Sequence, residues 1–312
     1  MTEIKRAIAL GFFDGVHIGH AALLERTKQR AREIGAVPSV LSFDVHPDTL
    51  VFGTPVPLIN SAIGREDIIR RQFGIDNVVF LHFNRTMMQM DWVDFIESLI
   101  RELNIGWIVV GHDFCFGYKG RGTTERLKDY CESHGLGCDV IPPVMLGGQI
   151  VSSTRIRQLI ADGDMEQARR WLGHPHVLSD TVHSGYHLGQ KMGTPTINMY
   201  FPEGVIVPRH GVYATKVWLE GGSSHIAVTN VGVRPTVSEG ERVSVESHLL
   251  DYSGNLYGRQ ARVEFYRFLR PETKFADMEA LGEQIRRDAE QARAYFANEA
   301  DGTEQKNAST IG

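Results

Sequence analysis

The sequence predicts two domains of different class: a Rossmann-like α/β domain with a parallel sheet, then a small antiparallel β-barrel with a terminal helix. Three observations predict it. Apolar runs of strand length alternate with helix-length amphipathic segments through the first half, the pattern of parallel βαβ units. Beyond the stretch 174–180 the grammar changes to short β-rich segments separated by Gly, Asn, Ser and Pro turns, as in small barrels. The length of 312 residues is ample for two domains of about 100–200 residues each, which we divide as 1–176 and 177–312.

Taken in order, AIALGF and VPSVLSF read as buried strands, with the helix HAALLERTKQRAREIG between them. Leu24, Thr27, Ala31 and Ile34 mark one face of that helix, and Gly35 is its stop. NVVFLHF, GWIVVG and CDVIPPV are further strands, and WVDFIESLIREL and TERLKDYCESHG are the helices between them. Two short helices follow, with Ser153 and Asp164 as N-cap candidates and Gly163 and Gly173 as stops. GVYATKVWLE, HIAVTNVGV, VSVESHLLDY and ARVEFYRFL are the barrel strands, and a helix from about Phe275 to Asn298 closes the order, with a fraying polar tail.

Composition removes several classes. With 42% apolar and 23% charged residues the chain can build ordinary cores, and its net charge of −5 argues against a nucleic-acid or anionic-membrane partner. The first apolar stretch is too short for a signal peptide, and no run reaches the roughly 18 apolar residues of a membrane span. Cys115, Cys131 and Cys138 are odd in number and lack metal-site spacing, which reads as free thiols in a cytoplasmic protein.

The most distinctive stretch is GFFDGVHIGH, at the carboxyl end of the first strand, where ligands sit in such sheets. His17 and His20 fall on one side of a first helical turn, whose free N–H groups and positive dipole end favour anions. Gly11, Gly15 and Gly19 would admit a ligand to the main chain, and imidazoles donate hydrogen bonds to phosphate. Taken alone, a glycine-rich turn with one capping and one exposed histidine fits equally well. SSTRIR offers a second cradle, with Ser153, Thr154 and Arg157 at another helix N-terminus. Two such sites in one domain point to a polyphosphate.

In the second half, Thr196 and Asn198 of GTPTIN present neutral oxygens on the same side of an extended segment, which suits a hard cation such as Mg²⁺. Val243, Val245, Ser247 and Leu249 can face a core, so Glu246 points to the other face with His248 beside it. A strand glutamate is often merely solvated; beside a bound nucleotide it can serve as a general base.

GFFDGVHIGH, SFDVHP, VVGHDFCFG and SSTRIR, in this order, closely resemble the adenylyltransferase module of the bacterial bifunctional riboflavin kinase/FAD synthetases. GTPTIN, VPRHGVYA, NVGVRPTV and ESHLLDYSGNLYG extend the resemblance over nearly the whole chain. It implies that the first domain transfers AMP from ATP to the phosphate of FMN, giving FAD and pyrophosphate. The second would phosphorylate riboflavin with Mg-ATP, releasing ADP. His17, Gly19 and His20 map onto the nucleotide motif, with Gly11, Phe12, Asp14 and Gly15 in the same turn; His46 is open between a phosphate contact and a turn former. Ser153, Thr154 and Arg157 map onto the second phosphate motif, and Asp113 and Phe114 lie where the flavin would be placed. In the kinase part, Thr196 and Asn198 take Mg-ATP, Glu246 is the base, and Gly185, Gly189 and Gly193 allow approach to the phosphates. Self-association is compatible with the sequence.

The chain departs from the family pattern at four positions: Cys115 and Gln190 stand where arginine is usual, Val45 for proline and Thr194 for phenylalanine. A monofunctional FAD synthetase with a decayed barrel is the competing reading; a nucleic-acid-binding barrel is disfavoured by the charge.

Overall fold

The computed structural model describes residues 4–183, 196–236 and 240–309. Gly185, Gly189, Gln190, Gly193 and Thr194 lie outside the described residues. The chain divides into two compact units, one of Met1–Ile156 with Trp171–Gly173 and one of Arg157–Arg170 with His174–Gly312.

In the first unit the elements run β1 (Arg6–Leu10), α1 (Ile18–Glu33), β2 (Val37–Phe43), α2 (Pro47–Phe52), α3 (Ala62–Phe73) and β3 (Asn77–Leu81). Then come α4 (Arg85–Gln89), α5 (Trp92–Leu103), β4 (Ile105–Gly111), α6 (Thr124–Ser133), β5 (Gly137–Ile141) and a hairpin of β6 (Met145–Leu146) and β7 (Gln149–Ile150). β1 to β5 form one parallel sheet in the order β3-β2-β1-β4-β5. Ala7 to Leu10 are at most 1% exposed because both faces of a parallel strand are covered, which is why the run reads as continuously apolar. Successive residues serve opposite cores: Ile8 and Leu10 pack with Phe95, Ile96 and Leu127, while Ala9 packs with Leu23, Leu24 and Ile69. The strand order reverses between β1 and β4, and that switch point is where open α/β sheets bind ligands.

The second unit takes most of its residues from α7 (Ser153–Asp162) and α8 (Met165–Leu172), then β8 (His176–Thr181), β9 (Thr196–Tyr200), β10 (Gly211–Leu219), β11 (Ser224–Thr236), β12 (Gly240–Leu249), β13 (Gln260–Arg270) and α9 (Met278–Ser309). Its sheet is antiparallel, in the order β8-β13-β10-β11-β12-β9, and a bridge between His183 and Asn198 draws the two edges together into a half-barrel. Tyr213, Thr215, Thr229, Val245 and Ser247 line the inner side, all fully buried, with hydroxyl contacts of 2.7 Å from Thr215 to Thr229 and from Thr229 to Ser247. On the outer side Val212, Ala214 and Val228 meet Ala292, Tyr295 and Phe296 of α9. That helix is longer than the expected end at Asn298. Arg270 anchors it with a fork onto the buried carboxylate of Asp288 (2.8–3.1 Å). Among the described residues no helix is long and apolar enough to cross a membrane.

Candidate active sites

Beyond β1 the chain turns sharply. Phe13 (φ 57°) and Val16 (φ 43°) are both left-handed, which costs a side-chain-bearing residue roughly 1–2 kcal/mol. Each is only 1% exposed, so burial of its side chain offsets the strain. His17 then caps α1: its Nδ1 accepts the His20 N–H at 3.3 Å, and the two imidazoles stack with centroids 3.6 Å apart and planes 12° from parallel. The glycines are needed for packing in the turn itself. A Cβ on Gly15 would come 2.8 Å from Ile59, and one on Gly19 would come 3.0 Å from the His17 ring. A Cβ on Gly11 would meet the Phe13 ring at 3.2 Å. All three make room for the protein's own side chains.

Burial, and after it the neighbouring His17 and Arg65, hold the His20 imidazole well below the ordinary histidine range. It is therefore neutral near pH 7. Its Nδ1 is buried without a hydrogen-bond partner among the described residues.

Asp14, 2% exposed, organises the turn. Its Oδ1 accepts from the amides of Ile59 (2.8 Å) and Asn60 (3.4 Å), just ahead of α3. Its carbonyl accepts from the Ser153 hydroxyl at 2.9 Å. The two stretches expected to bind phosphate, 139 residues apart in the chain, thus share a hydrogen bond. Ser153 is consequently not the N-cap; Ser152 is, its Oγ accepting from Arg155 N at 3.4 Å. Asp164 does cap α8, through Gln167 N at 3.1 Å. Thr154 is exposed and Arg157, a turn later and part of the second unit, is half-buried.

His46 caps α2 through Asp48 N (3.2 Å) and packs edge-on to Phe12 at 4.5 Å. Sequence reasoning gave no role to Arg65, which the structure puts beneath Phe12; a buried arginine leaves no mark in apolar periodicity. Asp113 and Phe114 follow β4, across the switch point from β1 and at the same edge of the sheet. Phe114 stacks on Phe116 at 5.2 Å, while Asp113 and Cys115 are exposed.

In the second unit, strand register gathers the chemistry-bearing residues. Glu246 lies opposite Asn198 on β9 and Asn230 on β11, so the three share the outer face, and Thr196 stands opposite His248 one row on. Asn198 is 6% exposed and its Oδ1 has no hydrogen-bond partner among the described residues. A buried, unspent amide oxygen beside a carboxylate suits a hard cation. No group of three or more His, Cys, Asp or Glu among the described residues could hold a metal ion, so such a cation would rely on neutral oxygens and a nucleotide's phosphates. The hydroxyl of Ser244 donates to Glu246 Oε1 at 3.2 Å. Sequence reasoning missed Ser244, although two residues before Glu246 on a strand is the same face.

Comparison with known proteins follows this division. Residues 1–155 match the FAD synthetase family and residues 172–296 the riboflavin kinase family. The bifunctional riboflavin kinase/FMN adenylyltransferase of Listeria monocytogenes is 32% identical over 95% of this chain and 94% of its own length. The Bacillus subtilis protein of that name is 33% identical over 95% and 94%, and the Pseudomonas fluorescens one 35% over 93% of each. A crystal structure described as a macrolide-efflux protein from Streptococcus pneumoniae superposes with a TM-score of 0.82 at 29% identity, covering 94% of this chain and 95% of that one. The chain belongs to the bifunctional riboflavin kinase/FMN adenylyltransferase family, its FAD synthetase part first and its riboflavin kinase part second.

Proposed function

We propose that the first part, residues 1–176, makes FAD from FMN and ATP at the histidine turn, and that the second, 177–312, makes FMN from riboflavin on the outer face of its sheet. One observation carries the reading. In each part, residues far apart in sequence and predicted to act together meet: Ser153 with Asp14, and Glu246 with Asn198.

For adenylyl transfer the nucleophile is a phosphate oxygen of FMN, already anionic, so no general base is required. It attacks the α-phosphorus of ATP, and the bond to the departing pyrophosphate oxygen breaks. His17 and His20 donate to the phosphates through that change, with Ser153, Thr154 and Arg157 holding the far end, which amounts to alignment and relief of charge. Asp113 and Phe114 receive the flavin.

For the kinase reaction a ribityl hydroxyl must lose its proton, and Glu246, held by Ser244, accepts it as the oxygen attacks the γ-phosphorus and ADP departs. The family uses ATP and in general a divalent metal; we assign Mg²⁺, which Thr196 and Asn198 would hold with the nucleotide and which would neutralise phosphate charge. The three free thiols agree with a cytoplasmic protein.

Purified protein incubated with riboflavin, ATP and Mg²⁺ should yield FMN and then FAD, resolved by chromatography. FAD only from supplied FMN would overturn the kinase assignment, and FMN without FAD would overturn the adenylyl one.

A further inference from the structure

We propose that Arg65 is the positioning residue of the adenylyl-transfer site, locking the carboxyl ends of β1 and β2 so that the histidine turn and His46 are pre-formed for the triphosphate. The inference rests on the adenylyl reading above. Arg65, in the first turn of α3, is 0% exposed. Its Nη1 donates to the Phe12 carbonyl and to Ser42 Oγ (2.8 Å), and its Nη2 to the Phe43 carbonyl (2.8 Å). One planar fork therefore ties the residue that opens the histidine turn to the end of the neighbouring strand, and Ser42 Oγ closes the network onto the Phe12 carbonyl at 2.8 Å. The guanidinium carbon also lies 4.3 Å over the Phe12 ring, which His46 touches at 4.5 Å. Any shift of Arg65 moves both.

The charge is as informative as the fork. All three acceptors are neutral, and a buried cation so bonded is costly to the fold, where an apolar residue of similar volume is often tolerated. After burial, which disfavours the charge, the carboxylates of Asp14 and Asp44 act in its favour. Asp14 Oδ1 serves Ile59 and Asn60, and Asp44 serves Val45, His82 and Phe83. Burial lowers the guanidinium only to about 10, so it stays charged at neutral pH. A cation kept at this cost beneath an anion-binding turn adds to the field that phosphates meet there. Lysine would keep the charge and lose the fork.

The test uses the full chain with Arg65→Met and Arg65→Lys, and His20→Ala as the marker of the site. FMN adenylylation is followed as kcat and KM for ATP, inorganic pyrophosphate binding by calorimetry, and riboflavin phosphorylation as the check on the second part. Arg65→Met should lose about 10–100-fold in kcat, the scale of a small misplacement of reacting groups, and weaken pyrophosphate binding about tenfold, with phosphorylation unchanged. Arg65→Lys should regain the pyrophosphate affinity but not the kcat. A merely structural arginine would lower the melting temperature while folded variants kept the wild-type kcat and affinity, and that result would overturn the proposal. Should the Met variant not fold, a Lys variant with full kcat would overturn it as well. If His20→Ala also left adenylylation intact, the site itself would be misassigned and the proposal would fall with it.

Discussion

His20 is neutral and stacked on His17, so in the proposed reaction it would be an oriented donor before any nucleotide arrives. Losing one such donor typically costs about 10²–10³ in rate, so His20→Ala should slow FAD formation from FMN by that factor. Initial rates with FMN and ATP check it. Cys115, where the family pattern has arginine, lies exposed after β4, beside the proposed flavin residues Asp113 and Phe114. Cys115→Arg should therefore lower KM for FMN with kcat unchanged, the mark of uniform binding, in a steady-state titration of FMN. The candidate residues that were legible in the sequence sit on turns, a helix start and alternating strand positions, where spacing has geometric meaning. Arg65 and Ser244 were not, because an arginine inside and a serine in a strand resemble countless solvated ones.

Elements were legible where burial follows a period. β1, β2 and β4 read directly as apolar runs, and α1 as a stripe of Leu24, Thr27 and Ala31, all buried. The helices between β2 and β3 were not read: in α3 the buried positions are Arg65, Ile68 and Ile69, while Ile63 is 78% exposed, so apolarity and burial disagree. In β8 the same conflict has an energetic consequence. His176 is 1% exposed between Phe201 and Phe265, neither ring nitrogen has a hydrogen-bond partner among the described residues, and burial with nearby His174 pushes its pKa down to about 3. Above the ordinary value near 6.5 both folded and unfolded forms are neutral and nothing is lost. Between there and about 3 only the unfolded chain takes the proton, so stability falls by about 1.4 kcal/mol per pH unit. His176→Phe should flatten that part of the melting-temperature profile between pH 6.5 and 4, followed by circular dichroism; an unchanged slope would clear His176 of the effect.

Across the whole molecule the two activities should separate, because only one of them needs a base. Glu246→Gln removes the proposed acceptor of the ribityl proton, worth about 10²–10⁴ in rate, and should nearly abolish FMN formation while FMN supplied directly is still adenylylated. His20→Ala should do the reverse and let FMN accumulate from riboflavin. Product chromatography from both flavins, with folding checked by circular dichroism, tests this; a folded Glu246→Gln protein that lost both reactions alike would sink the two-site reading. The two-part architecture was legible from the change of grammar near His174, but the fate of residues 157–170 was not. α7 begins with Ser153 and Thr154 in the first unit and continues from Arg157 in the second. Farther along, the Arg209 amide donates to the Ile160 carbonyl at 3.4 Å, and Arg169 joins Glu299 in an ion pair at 2.5 Å and lies 5.0 Å over the Tyr266 ring. For anyone dissecting the gene, a fragment opening at residue 177 leaves those contacts behind, and one opening at 157 severs the proposed second phosphate motif. No single cut returns both halves whole.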